Sequence, residues 1–393
     1  MSTANPAILA LAPGESGRLS ILHVVDTLDF GGLERVVADI AMAQHAHGHR
    51  VAVFSLTGAG ALGPELVAAG VRVVQGGKRH GFDPAMLASL RRAATAMHAD
   101  IVHSHNFVPN YYAALALVGL WGRHPILVNT CHNMGSRLTA ARLRRLYRLS
   151  LARTRRVAGV GEGVARHLVE TGMVRPSRID AVRNGVHLPP APCPRARDDA
   201  RATLGVAADA LLVGCVGRLV ELKNHRLLLD QLPVLATSSP RLQLVLIGDG
   251  PARAGLEARV AELGLADRVR FTGARGDASR LLPALDVFAL PSRTEGLSIA
   301  LLEACAAGLP VVASRVGGNS EIVSHQNTGL LFDNEDGDAL RHALQQLFDD
   351  ASLRRRLGTA ARAWVEAHAS MPALRAGYDA FYARALGKSV QCA

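Results

Sequence analysis

Residues 286–313 read Asp286-Val-Phe-Ala-Leu-Pro-Ser-Arg-Thr-Glu295-Gly-Leu-Ser-Ile-Ala-Leu-Leu-Glu303-Ala-Cys-Ala-Ala-Gly308-Leu-Pro310-Val-Val-Ala313. The opening run, Asp286 to Leu290, is β-type. Glu295 then stands in a turn with Gly296, and an amphipathic helix is predicted from Ile299 to Ala307. Gly308 and Pro310 end that helix in the usual order, and Val311-Val-Ala313 starts another strand. Strand, tight loop, helix and strand in this order make a parallel unit. The loop-to-helix junction offers free backbone N–H groups and the positive end of a helix dipole to an anion. Glu295 precedes that anion site and Glu303, eight positions later, lies beyond it.

The same alternation extends outward. Leu211–Val216, Leu242–Ile247, Val269–Phe271, Val287–Leu290 and Val311–Ala313 read as strands of one parallel sheet, followed by a helical tail from about Asp338 to Leu386 that breaks near Ser370-Met371-Pro372. Upstream, Leu19–Val25, Val51–Leu56, Val71–Val74, Ile101–His105 and Ile126–Thr130 read as strands of a second sheet, and Gly31-Gly32 opens a helix after the first of them. Short apolar strands separated by helices imply parallel sheets covered on both faces. Leu188-Pro-Pro-Ala-Pro-Cys-Pro194 holds four prolines in seven residues and interrupts the pattern, so the linker is placed there. The expected fold is α/β: two doubly wound Rossmann-like domains, residues 1–188 and 189–370, facing across a cleft. The C-terminal helix, 371–393, is expected to return to the first domain. Ligands of such sheets bind at the carboxyl ends of the strands.

Bulk properties narrow the classes. A chain of 393 residues accommodates two full cores. A net charge of +11 favours anionic partners, whether nucleotides, nucleic acid or an anionic membrane surface. An aromatic share of 4% speaks against a module that stacks sugars on rings. The five cysteines form no C-x-x-C pair and are odd in number, so neither a metal centre nor a disulfide framework is expected, and a reducing cytoplasm fits. The first twenty residues carry no basic start ahead of the short apolar run Ala7–Ala12, and the longest apolar run, Tyr111–Trp121, is about half of what a bilayer span needs. The expected location is cytoplasmic, or peripheral at the inner face of the cytoplasmic membrane.

Several side chains stand where the sheets should present them. Gly31-Gly32 allows a backbone to approach a phosphate. Arg218 and Lys223 follow the first strand of the second half; Arg suits a forked phosphate contact and Lys a point charge, and both would offset charge building on a departing diphosphate. The plainer reading is a solvated basic loop with Glu221 as a surface partner. Glu295 and Glu303, flanking Gly296-Leu297-Ser298, suit a sugar on one side of a diphosphate and a ribose on the other. His105 and His132 each end a strand and can meet a sugar hydroxyl or a transferred proton; His103 alternates with His105 on the same side and is a further candidate. Residues Ser136 to Arg156 carry eight arginines and no acid, with Leu138, Leu143, Leu146, Leu149 and Ala152 at helical spacing. Such a helix suits anionic lipid, or packs its apolar stripe on the core with arginines in water. No interleaved aromatics or nucleic-acid-binding motif accompany it, so nucleic acid is not an expected partner.

Taken in order, Gly31-Gly32, Asp100-Ile-Val-His-Ser-His105, Asn184-Gly-Val186, Gly217-Arg218 through Lys223, Gly248-Asp-Gly-Pro251, the glutamate pair and Pro310-Val-Val-Ala-Ser314 resemble the retaining glycosyltransferases of family 4, of GT-B architecture. The resemblance implies transfer of a sugar from a nucleotide diphosphate sugar to an acceptor hydroxyl, on the face from which the nucleotide leaves and with no obligatory metal or other cofactor. It implies that Arg218 and Lys223 grip the diphosphate and that Glu295 contacts the donor sugar. Gly296, Leu297 and Ser298 offer backbone donors, and Glu303 binds the ribose. The family's active-site histidine best matches His132, with His105 second. The implied acceptor is a saccharide or lipid-linked molecule of cell-surface polysaccharide or glycolipid biosynthesis. Two departures are His187, where the family commonly has an acid, and Asn224 after Lys223. The alternatives are a sugar-nucleotide epimerase of the same architecture and a non-catalytic nucleotide-sugar-binding protein.

Overall fold

The computed structural model describes residues 18–29, 31–79, 81–120, 124–132, 140–191 and 193–387. The chain divides into two compact units, one of residues up to Val182 together with those from Leu374 on, the other of Arg183–Ala373.

The first unit is built on strands β1 (Ser20–Val25), β2 (Arg50–Ser55), β3 (Arg72–Gln75), β4 (Ile101–His105), β5 (Ile126–Cys131), β6 (Arg156–Gly159) and β7 (Ile179–Ala181). They form one sheet in the order β3-β2-β1-β4-β5-β6-β7, with every pair parallel. The strand order reverses between β1 and β4, which is where such a sheet opens a crevice at its carboxyl edge. All six residues of β1 are buried, because helices cover both faces. One apolar layer holds Leu22, Phe54, Val102 and Tyr112; another holds Val25, Val37, Val53 and Leu66.

The second unit carries β8 (Leu211–Val216), β9 (Leu242–Ile247), β10 (Val269–Phe271), β11 (Val287–Leu290), β12 (Val311–Ser314) and β13 (Leu330–Phe332). Their order is β10-β9-β8-β11-β12-β13, again parallel throughout. Its switch point lies between β8 and β11. Val213, Leu244, Leu246, Val287, Ala289 and Val312 lead its core. The expected α/β class with two doubly wound parallel sheets is therefore the observed one.

Three details depart from the sequence reading. The helical tail breaks at Asp350 as well as near Ser370, giving helices Gly337–Asp349, Ala351–His368 and Met371–Leu386. Asp350 accepts a hydrogen bond from the Leu353 amide at 2.9 Å, so its carboxylate caps a new helix. Strands β6, β7 and β13 had no counterpart in the reading; each is only three or four residues long. The arginine-rich segment forms a helix only over Ala141–Ala152, with Arg156 in β6, and Ser136–Thr139 lie outside the described residues. Its buried face follows the leucine stripe only in part, with Leu143 and Leu146 half-buried. Leu149 is 62% exposed, while Tyr147, Ser150 and Leu151 face inward. Polar partners select that face: the Tyr147 hydroxyl donates to Asn129 Oδ1 at 2.7 Å and Asn110 Nδ2 donates to Ser150 Oγ at 2.9 Å. Arg142, Arg144, Arg145 and Arg148 are all exposed.

The C-terminal helix Met371–Leu386 buries Leu374, Tyr378, Phe381, Tyr382 and Ala385, spaced along one face. Arg384 reaches Asp180 of β7 at 2.8 Å, and Arg156 of β6 holds the same carboxylate at 2.7 Å.

Candidate active site

In the second unit, the loops that leave β8, β9, β11 and β12 are stacked backbone on backbone. Gly248, with φ +148°, lies against the β8 loop; a Cβ there would come within 2.0 Å of the Gly217 carbonyl oxygen. Gly317 does the same to the β11 loop. Its φ is +47° and a Cβ would stand 1.9 Å from the Glu295 carbonyl oxygen, a separation no side-chain-bearing residue could keep. The Gly318 amide then donates to the Gly296 carbonyl at 2.8 Å. Gly317-Gly318 thus shapes the turn that holds Glu295. Two glycines soon after the strand that ends at Ser314 are a sequence signal for such a turn.

Glu295 is held by two side chains at one carboxylate oxygen. Lys223 Nζ lies 2.6 Å from its Oε1 and the Ser292 hydroxyl donates to the same oxygen at 2.6 Å; neither bond uses Oε2. The carboxylate side chain is 9% exposed and the lysine 23%. The Lys223 turn is tied to the β11 loop by the Arg293 amide, which donates to the Leu222 carbonyl at 2.8 Å. The bland pairing expected for this loop, a basic side chain with Glu221, goes to Arg293 instead, at 3.6 Å. Arg218 is exposed on the same loop as Lys223.

Ser298 caps the helix Ile299–Ala306, its hydroxyl accepting from the Leu301 amide at 3.3 Å. Leu297 is buried, and its carbonyl accepts from Asn184 Nδ2 at 3.2 Å. That gives Asn184-Gly-Val186 a physical task, bracing the loop between the two glutamates. Glu303 is half-exposed on a helix whose Leu301, Leu302, Ala304 and Cys305 are buried. Burial pushes the thiols of Cys215 and Cys305 up to about 12, so both are inert packing groups.

In the first unit the histidines cluster. His23 of β1 and His103 of β4 are register partners, and His103 and His105 alternate onto one side of β4. His23 Nε2 lies 2.8 Å from Gln44 Oε1, His23 Nδ1 lies 3.0 Å from His105 Nε2, and His105 Nδ1 lies 3.0 Å from His132 Nε2. His103 bonds the Tyr382 hydroxyl at 2.8 Å and Thr130 Oγ1 at 2.7 Å. Asn106 Oδ1 accepts from the His132 amide at 2.7 Å, fixing the backbone just past β5. His132 Nδ1 is buried and has no hydrogen-bond partner among the described residues.

Burial drives all four imidazoles toward the neutral form: His23 falls to about 4, His132 to about 3, and His103 and His105 lie well below the usual value. His103 and His105 are 0% and 1% exposed, with both ring nitrogens of each engaged. Any contact of theirs with a ligand would run through a neighbour. Ring nitrogens of His23, His103 and His105 also lie within 4.8 Å of one another, a metal-like spacing. All six already have partners, so a metal would have to displace the network. Gly31 and Gly32 are exposed at a helix start, where the Glu34 carboxylate folds back onto Gly31, 2.2 Å from where a Cβ would stand. An anion arriving there would compete with that carboxylate.

Comparison with known proteins bears on both units. Residues 30–188 match the family described as Glycosyltransferase Family 4, and residues 196–364 match Glycosyl transferases group 1. The D-inositol 3-phosphate glycosyltransferase of Streptomyces scabiei is 31% identical over 383 residues, covering 88% of this chain and 85% of that protein. The chain belongs to glycosyltransferase family 4. Another relative is the GDP-mannose-dependent alpha-(1-6)-phosphatidylinositol monomannoside mannosyltransferase of Mycolicibacterium smegmatis. It is 39% identical over 196 residues, but the match spans only 45% of this chain and 50% of that protein. Among solved structures, Anabaena HepE, crystallised with UDP and glucose, superposes with a TM-score of 0.84 at 22% identity, covering 93% of this chain and 100% of that one. WaaG, a glycosyltransferase involved in lipopolysaccharide biosynthesis, gives a TM-score of 0.72 at 22% identity over 91% and 98% of the two chains. These likenesses speak for the GT-B fold.

Within this family 4 chain, the residues singled out from sequence fall into two groups. Lys223, Glu295, Gly296, Leu297 and Ser298 share one hydrogen-bonded loop system, with exposed Arg218 on the Lys223 loop and half-exposed Glu303 on the helix that Ser298 caps. His105 and His132 belong to the histidine chain. Sequence reasoning overlooked Gln44, His23, Ser292 and Gly317, whose roles depend on partners distant in the chain. Among the described residues, no helix is long and apolar enough to cross a membrane.

Proposed function

We propose that this chain transfers a sugar from a nucleotide diphosphate sugar to an acceptor hydroxyl with retention of anomeric configuration. The observation that carries the reading is the Lys223–Glu295 pair at 2.6 Å, nearly buried on the carboxyl edge of the second sheet. In this reading Arg218 and Lys223 receive the diphosphate and offset the charge that develops as it leaves, so that no metal is required. Glu295, held at Oε1, turns toward the donor sugar. The amides of the Gly296–Ser298 loop and the helix start add donors to sugar or phosphate, and Glu303 takes the ribose. Gly31 and Gly32 bound the acceptor side, where His132 is the reacting-centre histidine and His105 stands behind it. The acceptor is a saccharide or a lipid-linked molecule at the inner face of the cytoplasmic membrane, a class in keeping with the phosphatidylinositol mannoside named for one relative and with the exposed arginines of helix Ala141–Ala152.

The test begins with thermal unfolding of the purified chain against UDP, GDP, ADP and their common sugar conjugates. A nucleotide at about 100 times Kd stabilises by roughly 2.7 kcal/mol. The responding donor is then incubated with candidate acceptors and the product anomer read by NMR. Retention, with turnover abolished and the nucleotide shift preserved in Glu295→Gln, is the expected result. An inverted product refutes the mechanism. An epimerised donor formed without any acceptor refutes the transferase reading.

A further inference from the structure

The chain of buried imidazoles in the first unit has a direction, and Gln44 sets it. Gln44 turns Nε2 toward the Tyr382 hydroxyl at 3.2 Å and Oε1 toward His23 Nε2 at 2.8 Å. A carboxamide oxygen only accepts, so His23 must carry its proton on Nε2. A neutral imidazole has one N–H, which leaves His23 Nδ1 as an acceptor. Its partner, His105 Nε2, must then donate across their 3.0 Å contact. The same step repeats: His105 Nδ1 accepts, and His132 Nε2 donates to it at 3.0 Å. His132 Nδ1 is left as a bare lone pair, and it is the ring nitrogen without a partner. Reversing every bond would instead bury an N–H at this position with no acceptor, the rarer and costlier defect in folded proteins.

The second branch agrees. Tyr382 accepts from Gln44, so its own proton goes to His103 Nδ1 at 2.8 Å. His103 then donates from Nε2 to Thr130 Oγ1 at 2.7 Å. One branch donates into Gln44 Oε1 and the other departs from Gln44 Nε2, so the two faces of one carboxamide orient both, and Tyr382 arrives on the C-terminal helix. Full burial keeps single protons on these rings, because a second proton would place an unhydrated charge in the interior.

We propose that Gln44, His23 and His105 are positioning residues that hold His132 in the Nε2–H tautomer, so that the first unit meets its ligand with an imidazole acceptor at Nδ1. Such an acceptor takes a hydroxyl proton and rejects an approaching carbonyl or ether oxygen, so the group it selects is a hydroxyl-bearing one. That the hydroxyl belongs to a sugar substrate rests on the transferase reading above; the tautomer does not.

The experiment is long-range nitrogen–proton correlation NMR on the full chain with 15N-labelled histidine and no sugar present, with His132, His105 and His23 assigned by single substitutions. All three rings are expected as Nε2–H, with Nδ1 unprotonated. In Gln44→Leu the direction is lost and His132 becomes a tautomer mixture, while Gln44→Glu, which still accepts from His23, keeps the wild-type pattern. With a responding donor and acceptor, Gln44→Leu lowers kcat about tenfold with little change in the nucleotide's thermal shift, and Gln44→Glu restores it. A protonated Nδ1 on His132 in the wild type overturns the proposal even if no variant folds. So does a folded Gln44→Leu chain whose His132 signal is unchanged. An enzyme of another class with the expected tautomers would overturn the functional reading and leave this one standing.

Discussion

Acid should destabilise the first unit well before its carboxylates titrate. The unfolded chain titrates its histidines near 6.5, whereas burial lowers His23 to about 4 and His132 to about 3 in the folded unit. A folded-state value below the unfolded one means that the unfolded chain binds more protons, so stability rises with pH in the interval between them. The contribution is fully present above pH 6.5 and is lost as the pH falls toward 4 and 3. From pH 7.5 to 5.0 each of these groups loses about 1.4 units of protonation free energy, or about 2 kcal/mol at 1.36 kcal/mol per unit. The pair gives about 4 kcal/mol by the same conversion. His103 and His105 shift in the same direction and add to it. The second unit has His225, also lowered to about 4, as its one comparable group among the described residues, so it should lose at most half as much. Pulse proteolysis in urea at a series of pH values, with surviving fragments assigned by mass spectrometry, reads the two units separately. The His23→Gln variant should flatten the first unit's dependence by about 2 kcal/mol. A first unit whose stability changes by less than about 1 kcal/mol over this range would refute the argument, because neutral buried imidazoles cannot be pH-indifferent there.

Two other substitutions test particular contacts. Gly317→Val demands both a left-handed backbone and a Cβ where the Glu295 carbonyl lies 1.9 Å away; it should cost about 1–3 kcal/mol and abolish the nucleotide-induced thermal shift, and an unchanged shift would show that the Glu295 turn does not shape the nucleotide site. Replacing Arg142, Arg144, Arg145 and Arg148 by Gln should weaken binding to phosphatidylserine vesicles at low salt by at least 100-fold, at about 1 kcal/mol per arginine, without changing the melting temperature; equal binding in a vesicle sedimentation assay would remove the membrane from the account.

The parts legible in the sequence were those written in local pattern. Asp286 to Ala313 announced a strand, a turn, a helix and a second strand because apolar runs, Gly308 and Pro310 punctuate it within one stretch of chain. Glu295 was singled out on the same grounds. What holds Glu295 was not legible: Lys223 is 72 residues away in sequence and Gly317 lies on the following loop. The arginine helix shows the opposite failure, in which a local pattern misled. Leucines at helical spacing defined one face, but Tyr147 and Ser150 had hydrogen-bond partners waiting in Asn129 and Asn110, and a satisfied buried polar group outweighed one exposed leucine, Leu149.

The histidines carry this reasoning furthest. A period of two places His103 and His105 on one side of β4, and a histidine near the carboxyl end of a strand is a fair guess for a ligand contact. Whether that side faces a ligand or a core depends on what covers it. Here the cover includes Tyr382, 279 residues from His103. Once the C-terminal helix is in place, three histidines spend every ring nitrogen on neighbours. Of the four clustered histidines, only His132, one residue beyond the end of β5, retains a nitrogen without a partner among the described residues. The sequence can show which residue types crowd an edge. It is the hydrogen-bond count, ring nitrogen by ring nitrogen, that separates the histidine able to receive a ligand's proton from those that set its orientation.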